Sequence, residues 1–159
     1  VKTNNSMPLN NLFKKIEALE LFDVEKETID IINKNSFYIT AMLRLQLQQG
    51  KDGEDNPVTI FGRDYYSDRT VFDKEHGNYP ALGKVTEYIT NYRTGAFYMS
   101  LVTRAEGRVF VTESDVPYFE DILKRSGEKI MKLNKEHLKE FSQEILIPEL
   151  RRRFAQLSK

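Results

Sequence analysis

The chain has 159 residues, 24 Lys and Arg balanced by 24 Asp and Glu, 40% hydrophobic residues and no cysteine. That length fits one domain burying roughly two-thirds of its unfolded surface, and the lack of cysteine excludes disulfides, thiolate metal sites and cysteine nucleophiles. A formal net charge of zero argues against nucleic acid as the main partner, because such binding draws its affinity from neutralised phosphates. No apolar run reaches the roughly 20 residues that span a bilayer, so no membrane partner is expected either.

In chain order, residues 1–8 are polar and predict a mobile N-terminal arm, followed by one domain over residues 9–159. Leu9, Leu12, Phe13, Ile16 and Leu19 recur at three- and four-residue spacing and predict a helix to about Phe22. Asp23 is placed to cap a second helix, with Glu25 and Glu27 near its positive end. Ile29, Ile32, Ile39, Leu43 and Leu47 continue the apolar pattern. The polar run Asn33-Lys34-Asn35-Ser36 offers a break point, and Gly50 a C-terminal glycine cap.

Residues 50–84 lose this periodicity and hold five of the eight glycines, with Phe61, Tyr65, Tyr66, Phe72 and Tyr79 scattered among charges. A connection this long is functional or disordered. It predicts a mobile loop that orders on a partner, with Tyr65, Tyr66, Phe72 and Tyr79 as contact residues. On this reading, deleting residues 52–80 leaves the fold largely intact.

From Val85 to Tyr92 the residues are β-branched and aromatic. After a break at Thr94-Gly95, Phe97, Met99 and Leu101 alternate with Tyr98, Ser100 and Val102. Both stretches predict strands, and Ala105-Glu106-Gly107 predicts a hairpin turn returning through Thr112. Ser114 or Asp115 can cap a short helix ending at Gly127. Asn134 can cap a last helix with Leu138, Phe141 and Ile145 on one stripe, kinked or restarted at Pro148. The predicted class is α+β: N-terminal helices, a long irregular loop, a small antiparallel sheet with a hairpin, and C-terminal helices.

Candidate chemistry is sparse. His76 and His137 lack the close pairing and further ligands of a zinc site and read as solvated histidines. Asp52-Gly53-Glu54-Asp55-Asn56 lacks the spaced oxygens of a calcium loop and reads as a polar turn. Gly83-Lys84 lacks the rest of a phosphate-binding loop. No carboxylate pair stands out among the acids, and neither catalysis nor a cofactor is expected. Arg151, Arg152 and Arg153 form the one compact basic run, which complements a helix C-terminus or contacts an acidic partner or DNA.

Three features occur in order: Leu45-Gln46-Leu47-Gln48-Gln49-Gly50-Lys51-Asp52 with a tyrosine-bearing loop behind it, then Tyr92-Arg93-Thr94-Gly95-Ala96-Phe97-Tyr98-Met99-Ser100-Leu101, then a hairpin reaching Thr112-Glu113-Ser114-Asp115 and helices near Leu133-Asn134-Lys135-Glu136-His137-Leu138. Over residues 40–154 this resembles small structural proteins of tailed bacteriophages and prophages. More loosely, it is similar to phage tail-completion (neck, head–tail joining) proteins, in which a Thr-Gly turn opens a strand carrying a following serine. The resemblance implies a virion protein, assembled in the bacterial host cytoplasm. It further implies a homo-oligomeric ring touching the adaptor, the tail tube or the tail terminator. Two rival readings are a monomeric regulatory or inhibitory binding module from a mobile element, and a DNA-contacting factor using Arg151 to Arg153.

Overall fold

A computed structural model describes residues 9–157, with side chains described from Phe13 onward; the arm expected over residues 1–8 lies outside the described residues. Helix α1 spans Leu9–Leu21 and α2 spans Val24–Lys34. Between them the Asp23 carboxylate accepts the Lys26 backbone N–H at 3.0 Å, the expected N-cap, with Glu25 and Glu27 in the first turn. The break falls at Asn35, whose side-chain amide donates to the Ile31 carbonyl at 2.8 Å. Helix α3 (Ser36–Gln48) begins at the next residue and ends before Gly50, which takes the left-handed conformation at φ 69°.

Helix α3 stands between two clusters of buried side chains. Its Ile39 and Met42 pack with Ile32, Ala105 and Phe141. Its Leu43 and Leu47 belong to the larger cluster with Val58, Tyr66, Ile89, Phe97, Tyr98, Leu101, Ile122 and Ile130. Gln46 is fully buried on the same helix and acts as a peptide surrogate. Its Nε2 donates to Lys132 O at 2.9 Å and its Oε1 accepts Asn134 N–H at 2.8 Å, so both halves of the amide are satisfied.

The segment expected to be an irregular loop is built into the domain. It contains helix α4 (Asp68–His76), capped by Ser67, and a short 3-10 turn at Ala81–Lys84. Asp52 closes the predicted polar turn by accepting Glu54 and Asn56 N–H at 2.8 and 3.0 Å. Two backbone bonds, Gly53 N to Lys129 O at 2.9 Å and Phe61 N to Arg125 O at 2.8 Å, fasten the segment to the C-terminal half. A Cβ on Gly53 would lie 2.5 Å from the Lys132 Cβ, so the missing side chain permits that approach. Val58 and Tyr66 enter the main core from here. Periodicity failed to announce this because most of the segment anchors through single residues and side chains.

The strand prediction holds only for the hairpin. Strands β1 (Val102–Glu106) and β2 (Val109–Glu113) pair antiparallel, with Val102 opposite Glu113. Residues 85–92 form no strand; their polar backbone is met locally, with Thr90 N donating to the Tyr66 hydroxyl at 3.0 Å and Thr90 O accepting from Tyr98 at 2.6 Å. Residues 96–100 form a short helix, α5 (Ala96–Ser100), opened by Gly95 at φ 93°. The Thr-Gly turn therefore opens a helical turn, although its following Ser100 still bonds to Ser114 beside the hairpin.

Helix α6 (Phe119–Ser126) ends at Gly127, as predicted. Helix α7 (Lys135–Phe141) is capped by Asn134, whose Oδ1 accepts His137 N–H at 2.9 Å. A π-helical turn, Ser142–Leu146, leads without a break into α8 (Ile147–Leu157). The widened turn suits Pro148, which has no N–H to donate and whose ring would crowd a regular preceding turn. Among the described residues no helix is long and apolar enough to cross a membrane.

Candidate functional site

An open groove of about 970 Å³ lies between α4, the 91–98 segment and α6. Its walls are aromatic, including Phe61, Tyr65, Tyr79 and Tyr118. Its charged residues are Arg63, Lys74, Arg93 and Arg125 against one acid, Asp73. Four cations facing one carboxylate make the groove electropositive in a chain with no net charge.

Lys74 lies at the root of this charge. The residue is only 4% exposed, and its ammonium donates to Gly83 O at 2.7 Å and Tyr92 O at 2.9 Å. The same nitrogen sits 4.8 Å from the Tyr66 ring centroid, a cation–π contact. Carbonyl dipoles and a π face solvate the ammonium, and among the described residues no carboxylate neutralises it. Burial lowers its pKa from the usual lysine value, and the nearby Arg93 lowers it further.

Among the described residues the three arginines share this lack of a counter-charge. Arg93 donates to the Tyr79 hydroxyl at 2.8 Å and stacks over its ring at 5.1 Å. Arg125 donates to the Asp121 carbonyl. Four arginines outside the groove do pair with carboxylates: Arg104 with Glu106 and Glu113, Arg108 with Glu25, Arg152 with Glu149, and Arg153 with Glu27, Asp30 and Glu149, whereas Arg44 donates to the Met99 and Leu101 carbonyls.

The structure brings together only part of the residues singled out in the sequence. Tyr65, Tyr66 and Tyr79 line the groove. Tyr66 serves as floor and core, since it is 8% exposed and its hydroxyl holds Thr90. Phe72 points elsewhere and stacks on His76 with centroids 4.2 Å apart. Arg151, Arg152 and Arg153 sit on α8, away from the groove lining. Arg153 has a side chain 16% exposed and clasps three carboxylates of its own chain; two arginines of the run are thus committed within the fold, and Arg151 remains exposed. His137, expected in solvent, is buried, and its Nδ1 lacks a hydrogen-bond partner, because the capped start of α7 turns the ring inward.

Arg63, Lys74, Arg93 and Arg125 escaped sequence reasoning. The one trace of them was aromatics interleaved with charge in residues 50–84, since Arg125 lies on an unrelated helix. A second, apolar cavity of about 510 Å³ lies between α2, the hairpin and α7, lined by Ile29, Ile32, Phe110 and Phe141 among others. Among the described residues no group of three or more His, Asp or Glu could hold a metal ion.

A different surface is left uncovered on α1. Ala18 is its buried contact, whereas Phe13 and Leu19 are 59% and 63% exposed and Ile16 is also exposed. The described members of the apolar stripe, Phe13, Ile16 and Leu19, thus stand in solvent. Comparison of the chain with family models, with curated proteins and with solved structures finds no match.

Proposed function

We propose that this chain is a bacteriophage virion assembly protein of the tail-completion, or neck, type, acting at the head–tail junction or tail through protein–protein contacts and without catalysis. The observation that carries the reading is the uncovered apolar face of α1, where Phe13 and Ile16 stand in solvent on an amphipathic helix. Each such side chain gains about 1.5–3 kcal/mol on full burial, so a partner that covers them is stabilised. Large apolar residues are exposed on other faces too, including Phe61 and Tyr65 at the groove rim and Val102, Val109 and Phe110 on the hairpin. Several separate apolar faces suit a subunit with several neighbours, which is what a ring between adaptor and tail tube or tail terminator requires. The ordered motifs from Leu45 to Leu138 support the same class.

Quantitative mass spectrometry of purified particles from the source phage or induced prophage tests this. Recovery of the chain at a fixed copy number near that of other neck or tail proteins is expected. Its absence from clean particles, despite expression in the lysate, would overturn the role. The cationic, aromatic groove favours one rival, a monomeric regulatory or inhibitory module that captures one partner; that rival predicts a 1:1 complex and no copy in the particle.

A further inference from the structure

The outward face of α1 carries more than apolar residues. Opposite the buried Ala18, positions 13, 16, 17 and 20 follow the i, i+3, i+4, i+7 spacing of one helical face. They are Phe13, Ile16, Glu17 and Glu20, all exposed. Lys14 and Lys15 fall on the flanks nearer Ala18. This face is therefore acidic and apolar, and neither glutamate has an ion-pair partner among the described residues.

The groove has the opposite character. Among the described residues Arg63, Arg93 and Arg125 have no carboxylate partner, Lys74 is buried without one, and the walls are aromatic. None of the described side chains of α1 lines it; α1 contacts α8 instead. The chain thus bears two distinct surfaces, one acidic and apolar, the other cationic and aromatic, each lacking in the monomer what the other offers.

We infer that α1 of one copy docks in the groove of a second copy, setting Phe13 and Ile16 against the aromatic walls and Glu17 and Glu20 against Arg63, Arg93 and Arg125. Helix-in-groove recognition uses this spacing of anchors. A guanidinium without a carboxylate is suited to a bidentate pair. Because the two surfaces differ, the contact is heterologous and propagates head to tail, closing into a ring where the rotation allows. The inference rests on the self-assembling part of the reading above. Nucleic acid fits the groove less well, since a few cations on a neutral chain neutralise few phosphates.

Sedimentation velocity on the full chain over a range of concentrations tests it, alongside Arg63→Glu/Arg125→Glu and Glu17→Lys/Glu20→Lys chains shown by thermal melting to be folded. The unaltered chain is expected to self-associate, and each doubly reversed chain to weaken that association at least tenfold. Mixing the two reversed chains restores it, because each α1 then meets a groove of opposite sign. A monomer at every concentration, or self-association that charge reversal leaves unchanged, overturns the inference. Either result stands apart from the copy number in particles, so a chain found in the virion but monomeric alone would sink the docking mode and spare the structural role.

Discussion

Arg153 shows how a residue's partners decide its role. In the sequence it belongs to a basic run open to a partner; in the fold it reaches back from α8 to Glu27 and Asp30 on α2, while Glu149 accepts from it at 3.2 Å. No local pattern announces such a pairing, because the contact spans 126 residues. Glu149 is held down to about 2 from its usual 4.5, first by the hydrogen bond from Arg152 and then by that from Arg153. The sign follows from linkage: a carboxyl with a lowered folded pKa contributes stability that is complete above about pH 4.5 and is lost as the pH falls toward 2. Glu149→Gln should lower the neutral plateau of a melting-temperature profile toward its value at low pH, and so flatten the acid limb over that window. An unaltered acid limb would mean that other carboxylates with lowered pKa values, among them Asp30 and Glu113, set the response.

At the scale of elements, caps were legible and short elements were not. Asp23, Asn35, Gly127 and Asn134 mark boundaries because each meets a local need of the backbone, which a sequence states locally. Residues 97–101 fit two periods at once: alternation suggests a strand, yet Phe97, Tyr98 and Leu101 are the buried members and Met99 is exposed, which is helical spacing. Five residues are too few to separate periods of 2 and 3.6, and the decision rests with Gly95. At φ 93° it holds a conformation that costs other residues about 1–2 kcal/mol, and a Cβ there would lie 2.6 Å from the Tyr92 hydroxyl. Gly95→Ala should destabilise the fold by that order, read as a lower urea midpoint at an unchanged m-value. Because Tyr92 and Gly95 both line the groove, the same change should also weaken self-association; a change in the midpoint alone would separate the turn from the groove.

For the whole molecule, the decisive departure from the sequence reading is residues 50–84. Absent periodicity suggested a detachable connection, yet Val58 and Tyr66 are core residues and Lys74 ties α4 to the backbone at Gly83 and Tyr92. Sequence patterns reveal faces of regular elements; they do not reveal a core built from single residues of an irregular path. The expectation that residues 52–80 can be removed without loss of folding is therefore reversed: such a deletion should abolish the cooperative melt. A deleted chain that still melted cooperatively would show that α3, the hairpin and α6 close a core by themselves. The α+β class, the hairpin and the helical ends were legible, since they rest on longer patterns and on a strong turn. The groove was not, because its walls come from three stretches far apart along the chain.

The composition of the main core also bears on how the protein is made. Leu43 and Leu47 meet Ile122 and Ile130 across it, so a nascent chain presents the apolar side of α3 long before its cover exists. At about 5–20 residues per second, translating the intervening stretch takes roughly 4–17 s. During that interval the growing polypeptide is a client for chaperones, and a message truncated anywhere before Ile130 would yield a product prone to aggregate. Folding is thus a late event in synthesis, because the main core closes only once the final third of the chain has left the ribosome.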